Sequence, residues 1–268
     1  MHADVLKLFD ISGEVAMVTG GARTLGLDAA SVLAGAGCDL VITSRDLEYA
    51  RKSAERLRAE FAIDVLPLAL DQADFAQIPN VVQEAHNWKG GIDILVNNAG
   101  GGAGLTPCHL FERPVEHMEK LIALNLTGVL CCCQEVGRLM AERRSGKIIN
   151  IASAAGLVGR DRRMYERHGM PGQPIDYAAA KAGVIGMTRD LAALLAPMGV
   201  HVNAISPGGF NRNMSEEFVR DFSDRTPLGR MGRDGIDLKG AVLFLASPAS
   251  DYVVGHNLVV DGGFSIWQ

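Results

Sequence analysis

Tyr177 and Lys181 stand three alanines apart in the stretch Ile175-Asp176-Tyr177-Ala178-Ala179-Ala180-Lys181-Ala182-Gly183. The alanines favour helix and an apolar periodicity continues to Leu195, which predicts the phenol and the ammonium one turn apart on one helix face. A phenol in water keeps its proton to about pH 10, and a fixed cation beside it favours the phenolate. Tyr177 is then a candidate acid and base, with Lys181 as its tuner. An amphipathic helix carrying an incidental pair has the same local pattern, so the rest of the chain must decide.

The segments that would position such a pair begin at Val15-Ala16-Met17-Val18, an apolar β-branched run. It ends in Thr19-Gly20-Gly21-Ala22-Arg23-Thr24-Leu25-Gly26, and helical periodicity follows at Ala29, Ala30, Val32 and Leu33. Strand, glycine turn and helix in that order suit anion binding, because backbone N–H groups and a helix N-terminus meet a pyrophosphate there. Gly20, Arg23, Thr24, Leu25 and Gly26 are the candidate contacts, and Thr24 is also a candidate helix cap; a tight strand-to-helix connection is the bland alternative. Cys38 to Thr43 reads as a second strand, closing on Ser44-Arg45 about twenty residues after the turn, where a dinucleotide fold meets the adenosine ribose. An acidic residue there would bind a ribose 2′-hydroxyl. A serine and a guanidinium suit a 2′-phosphate, with Arg23 as a second cation, so NADP (NADPH) is favoured and NAD is the less favoured cofactor. Arg45 could instead be a solvated residue opening the helix from Asp46 to Phe61.

Further strands are expected at Val65 to Leu70, Ile92 to Val96, Lys147 to Ala152 and Asn257 to Val260. Asp71 and Gln72 follow the first of these and could meet an adenine edge, although Asp71 also reads as a cap for a helix over Phe75 to Trp88. Asn97-Asn98-Ala99-Gly100 follows the next; its paired amides would tie strand ends together and hold the Ala99-Gly100 backbone near a ribose. A helical stretch from Pro114 to Arg143 is interrupted at Asn125-Leu126-Thr127-Gly128, where the asparagine implies a kink or a water-holding site. Ser153 lies at a strand's carboxyl end, where open α/β sheets place site residues. Ile236 to Leu245 reads as a late helix.

Composition narrows the field. The chain has 268 residues, 48% of them hydrophobic, enough for one α/β domain with a large core. No apolar run is long enough to span a membrane and the start Met1-His2-Ala3-Asp4-Val5 lacks a leader's order, which predicts a cytoplasmic protein without a membrane partner. Five cysteines, with Cys131-Cys132-Cys133 adjacent, argue against a disulfide framework and for small core residues. A net charge of -5 and a pI of about 5.8 argue against a nucleic-acid partner, and the histidines lack metal-ligand spacing, so no required metal is expected.

Thr19-Gly20-x-x-x-Thr24-x-Gly26, Asn97-Asn98-Ala99-Gly100, Asn125, Ser153, Tyr177-x-x-x-Lys181 and Pro207-Gly208 occur in the order found in short-chain dehydrogenases/reductases, and the chain resembles that family over nearly its whole length. The resemblance implies a single-domain Rossmann-type, doubly wound parallel α/β sheet of about seven strands with helices on both faces, and commonly a homotetramer. It implies a catalytic tetrad of Asn125, Ser153, Tyr177 and Lys181, with Tyr177, Lys181, Asn98, Ala99, Gly100, Pro207 and Gly208 also near the nucleotide. The implied reaction interconverts a carbonyl and an alcohol: Ser153 and Tyr177 bind the oxygen, Tyr177 donates the proton, Lys181 holds the ribose and lowers the tyrosine pKa, and Asn125 holds a water linking Lys181 to solvent.

Departures from the family pattern point to the substrate. Thr24 replaces a glycine, and Arg212 stands where the family has a threonine after Pro207-Gly208. Residues 157–173 form an insertion near the substrate site with four arginines between Arg160 and Arg167, which would bind a carboxylate or phosphate or else form a solvated loop or subunit contact. Residues 209–230 read as a substrate lid with a short helix from Ser215 to Phe222, and the tail Phe264-Ser265-Ile266-Trp267-Gln268 as a subunit contact. The insertion resembles that of gluconate 5-dehydrogenase-type reductases, which suggests a sugar, sugar acid or other small polar ketone. The alternatives are a 3-oxoacyl thioester, as in 3-oxoacyl carrier-protein reductases, or a regulator that binds NADP without turnover.

Overall fold

Apolar β-branched runs alternate with helix-forming stretches, and each run folds into a strand that feeds a helix. A computed structural model describes residues 2–102 and 104–267; Met1, Ala103 and the tail residue Gln268 lie outside the described residues. The elements are α1 (Ala3–Lys7), β1 (Val15–Thr19), α2 (Thr24–Gly35), β2 (Asp39–Ser44), α3 (Leu47–Phe61), β3 (Val65–Ala69), α4 (Ile78–Lys89) and β4 (Ile94–Asn97). They continue as α5 (Val115–Ile122), α6 (Gly128–Arg143), β5 (Gly146–Ile151), α7 (Arg162–Arg167), α8 (Ile175–Leu195), β6 (Val200–Pro207), α9 (Glu216–Asp224), α10 (Lys239–Ala246) and β7 (Asn257–Val260).

The strands form one parallel sheet of seven in the order β3-β2-β1-β4-β5-β6-β7, the doubly wound architecture expected from the sequence. Strand order reverses between β1 and β4, so their carboxyl ends splay the following loops to opposite sides and leave a crevice. Successive strand residues point to opposite faces. Ala16, Val18, Ile42 and Val96 pack with Leu33 of α2, Leu57 of α3 and Val242 of α10 on one side. Met17, Val41, Leu95 and Ile148 pack with Val82 of α4, Val136 of α6 and Ala192 of α8 on the other. Each fully buried aliphatic side chain contributes roughly 1.5–3 kcal/mol, which is why both helical layers are held to the sheet. Cys132 and Cys133 are buried in the second layer, and all five cysteines are free thiols.

Several local details differ from expectation. Strand β6 and helices α1 and α7 carry no clear sequence signal, and α7 gives the 157–173 insertion a helical turn capped by Asp161, whose carboxylate accepts from the Arg163 N–H at 3.1 Å. Helix α4 starts at Ile78 rather than Phe75, because Pro79 fits only a helix's first turn. The interruption around Asn125 is a π-helical turn over Ala123–Thr127 that joins α5 to α6. Along the opposite, amino-terminal rim of the sheet run charge pairs: Lys89 with Asp39 and Asp64, Arg143 with Asp93, and Lys147 with Asp251. Among the described residues no helix is long and apolar enough to cross a membrane.

Candidate active site

A cavity of about 890 Å³ runs along the carboxyl ends of the strands, from Arg23 and Arg45 at one end to Tyr165, Met214 and Phe218 at the other. At the switch point two loops are laced together. Thr19 Oγ1 accepts from the N–H groups of Asn98 (3.1 Å) and Ala99 (3.0 Å), while Asn98 Nδ2 donates to the carbonyls of Thr19 (3.0 Å) and Gly20 (3.2 Å). Asn97 Nδ2 donates to Asn150 Oδ1 at 2.9 Å, so the paired amides do join strand ends. Glycine is required at position 26, where any Cβ would collide with the Gly20 carbonyl and the Asn98 amide. Thr24 adopts the left-handed conformation at φ +50°, a shape that glycine takes freely and a β-branched residue takes under strain.

This end of the cavity suits the phosphates of a dinucleotide. The N-cap position of α2 is Arg23, without a side-chain cap bond, so Thr24 does not cap the helix: it already lies inside it. The amides of the first turn therefore lack a side-chain acceptor beside Gly20, Thr24, Leu25 and Gly26. Arg23 and Arg45 are exposed on the cavity rim, and among the described residues neither is in an ion pair. Ser44 Oγ accepts from the Asp46 N–H at 3.2 Å at the same rim. Asp71 is a correction: it does not line the cavity, and its carboxylate accepts from the Ala73 N–H at 3.1 Å in a local turn. Gln72 does reach the cavity, buried, with Nε2 donating to Ala99 O (3.1 Å) and Leu124 O (3.0 Å), so it braces the loop beyond β4.

At the middle of the cavity lie Ser153, Tyr177 and Lys181, with Pro207 and Gly208 opposite on the end of β6. Ser153 follows β5 and its Oγ accepts from the Ala155 N–H at 3.1 Å. Lys181 is buried; its Nζ donates to Ile151 O at 2.7 Å and lies 5.9 Å from the centre of the Tyr177 ring. Burial lowers the Lys181 pKa to about 8. Burial raises that of Tyr177, against the opposing pull of the Ser153 hydroxyl and the positive charges of Arg160 and Arg212. The expected depression of the phenol by Lys181 is thus not its net state here, because desolvation of the phenolate outweighs the cations. Asn125 sits in the π-helical turn with its amide engaged: Oδ1 accepts from Gly101 N–H (2.8 Å), and Nδ2 donates to Gly101 O and Leu121 O (3.0 Å each). A Cβ on Gly100 would come within 2.6 Å of Asn125 Oδ1 and 3.5 Å of Lys181 Nζ, so the glycine lets both residues crowd the same loop.

The far wall comes from the insertion and the segment after β6. Of the four arginines in the insertion, only Arg160 lines the cavity, and its Nη2 donates to Gln173 O at 3.0 Å. Arg163 pairs with Asp161, Arg167 with Asp221, and Arg162 is exposed. Met164 and Tyr165 of α7 pack against Phe218 and Phe222 of α9, and Phe222 stacks on Phe264 at 4.9 Å. Arg212 lines the cavity from the loop after β6, 3.3 Å from Asp234. This aromatic wall joins the expected lid helix to the insertion and to Phe264 of the tail, a long-range packing that local spacing does not announce.

Comparison with known proteins fits this geometry. A family model described as enoyl-(acyl carrier protein) reductase matches residues 20–265. A 3-oxoacyl-[acyl-carrier-protein] reductase of Aquifex aeolicus is 35% identical over 258 residues, covering 94% of this chain and 98% of that protein. This chain belongs to the short-chain dehydrogenase/reductase family. Members are oxidoreductases that act on CH–OH and keto groups, and so is this one. Another short-chain dehydrogenase/reductase, the 5-keto-D-gluconate 5-reductase of Escherichia coli, is 35% identical over 266 residues, 97% of this chain and 98% of that protein. Among solved structures, a gluconate 5-dehydrogenase from Burkholderia cenocepacia in complex with NADP and tartrate superposes with a TM-score of 0.87 at 35% identity, covering 97% of this chain and 98% of that one.

Proposed function

We propose that this protein is an NADP(H)-dependent oxidoreductase that interconverts a secondary alcohol and a ketone on a small polar substrate such as a sugar or sugar acid. The carrying observation is that one cavity holds Ser153, Tyr177 and Lys181 at its middle, two exposed arginines, Arg23 and Arg45, at one end, and Arg160 and Arg212 at the other. Arg23 and Arg45 would grip a ribose 2′-phosphate, with the pyrophosphate over the first turn of α2. When bound, the nicotinamide supplies or accepts the hydride. Tyr177, kept protonated by burial, gives its proton to the carbonyl oxygen, and Ser153 steadies that oxygen by a hydrogen bond. Lys181 holds the nucleotide ribose, and Asn125 sets the loop over it. Residues 209–230, with α9, act as a lid, and the insertion at 157–173 closes the cavity from the other side.

A second reading has specific support. The apolar wall of Met214, Phe218, Phe222, Met231 and Phe264 suits an acyl chain, and a 3-oxoacyl thioester reductase is among the relatives. The Arg160 and Arg212 side chains favour the polar ketone. The proposed homotetramer in the cytoplasm would use exposed aromatic residues such as Phe111 (88%) and Trp267 (58%) as subunit contacts. NADPH oxidation against a panel of neutral ketones, keto sugar acids and 3-oxoacyl thioesters, with NADH in parallel, tests the reading. Highest kcat/KM on a keto sugar acid with NADPH supports it; turnover of thioesters alone, or of nothing while NADPH binds, refutes it.

A further inference from the structure

Outside the reacting groups, Arg113 and Asp176 form a buried ion pair whose side chains are 1% and 8% exposed. Their contact is a parallel fork: Nε donates to Asp176 Oδ1 and Nη2 to Oδ2, each at 2.8 Å. Arg113 Nη1 then donates to the carbonyls of Leu105 (2.9 Å) and Pro107 (2.8 Å). One guanidinium therefore joins two pieces of the site. Asp176 lies in the first turn of α8 and is the residue before Tyr177, and Pro174 at the head of that helix makes no side-chain cap bond. Leu105 and Pro107 continue the loop whose Gly100, Gly101, Gly102 and Gly104 wall the cavity. From the other side Arg160 donates to Gln173 O and Pro174 O, at 3.0 and 3.3 Å, so the entry to α8 is gripped twice.

Stability alone does not call for such a pair. Withdrawing two charges from water costs several kcal/mol each, and well-packed apolar side chains of similar volume commonly hold a fold as well or better. A fork differs from an apolar contact in fixing direction and distance.

We propose that Arg113 and Asp176 are positioning residues: their fork sets the first turn of α8, and with it the Tyr177 phenol, against the loop that walls the substrate cavity. The proposal rests on the reading of Tyr177 as the group that exchanges the proton. Neither residue touches the nucleotide end, where Gly20, Arg23 and Arg45 lie on other strand ends.

The test is the double variant Arg113→Met/Asp176→Leu, which removes both charges together and leaves neither stranded. Thermal melting, NADPH affinity by fluorescence, and kcat and KM for the best ketone are measured on it and on the wild type. The expected result is a folded protein with unchanged NADPH affinity and a kcat lower by ~10- to 100-fold, the scale of misplacing a reacting group by about 1 Å. Wild-type kcat and KM in the folded double variant overturn the proposal. Should that variant not fold, Asp176→Asn decides: it keeps the shape but replaces the charged fork with a weaker, less directional contact, and kcat is expected to fall across the pH profile while KM and NADPH affinity hold. An unchanged profile and kcat in Asp176→Asn overturn the proposal as well. A wild-type protein that turns over no ketone or alcohol removes the reading of Tyr177 and the clamp with it.

Discussion

Lys181 donates its buried ammonium to the carbonyl of Ile151 at 2.7 Å, and so is anchored to the end of β5 while the centre of the Tyr177 ring stays 5.9 Å away. The two groups share a cavity wall, and in the proposed reaction the phenol exchanges the proton while the ammonium faces the nucleotide. Tyr177→Phe is expected to lower kcat by at least about 10²-fold, the usual scale for a general acid, with NADPH affinity retained in a fluorescence titration. A Phe variant of undiminished kcat would remove Tyr177 from the chemistry.

The raised pKa of Tyr177 gives the reaction a direction in pH. Below its pKa the phenol is protonated and ready to donate, so ketone reduction should be flat through neutral pH and fall at alkaline pH. Alcohol oxidation needs the phenolate and should climb as pH rises beyond 8. Initial rates of both directions across pH 6 to 10 check this, and oxidation that peaks at neutral pH would contradict it.

Arg45 and Arg23 flank one rim, each exposed. A charge-assisted contact to phosphate contributes roughly 1.5–3 kcal/mol, so Arg45→Ala should raise the KM for NADPH about 10- to 100-fold while hardly moving that for NADH. Equal losses for both nucleotides would place the 2′-phosphate elsewhere.

Gly26 leaves no space for a side chain against Gly20 O and Asn98 Nδ2. Gly26→Ala should cost about 1–3 kcal/mol of stability and weaken nucleotide binding, because the turn must open to admit the methyl group. Melting temperature and NADPH titration report both, and a variant that melts and binds as the wild type does would show the turn to be looser than this.

Glu14, half-buried just before β1, has its pKa raised to about 7 by burial and then by the nearby charge of Asp93, with Lys147 opposing. The unfolded chain ionises this group near 4.5, so the folded form binds more protons between about 4.5 and 7 and loses stability as pH rises through that window. After discounting for solvent screening, Glu14→Gln should stabilise by about 1 kcal/mol at pH 8 and by little at pH 5. Thermal melts at the two pH values would show a difference; an equal shift at both would not fit.

What the chain discloses on reading follows the range of the forces involved. The strand-turn-helix at Val15 to Leu33, the break at Asn125 and the pairing of Tyr177 with Lys181 depend on neighbours a few residues away, and each has a local pattern. Strand β6 does not: His201, Asn203 and Ser206 interrupt its apolar run, and the partners of Asn203 and Ser206 come from far along the chain, the Val253 carbonyl and Asn257 Oδ1. The fork of Arg113 and Asp176 likewise spans 63 positions, and nothing near either residue announces it. Asp71 reads two ways, because a carboxylate after a strand serves a turn as readily as a ligand, and here it accepts from the Ala73 N–H. The insertion's four arginines look alike in sequence; Arg160 alone lines the cavity, bound to the distant Gln173 and Pro174 carbonyls, while Arg163 and Arg167 are taken by Asp161 and Asp221.

All seven strands run the same way, so one edge of the sheet gathers the reacting groups while the other carries Lys89, Asp39, Arg143, Asp93, Lys147 and Asp251. That far edge is where the molecule can be handled. Coupling to a support through Lys89, or recharging of these pairs to suit a different solvent, would leave the mouth of the cavity facing outward and its chemistry untouched.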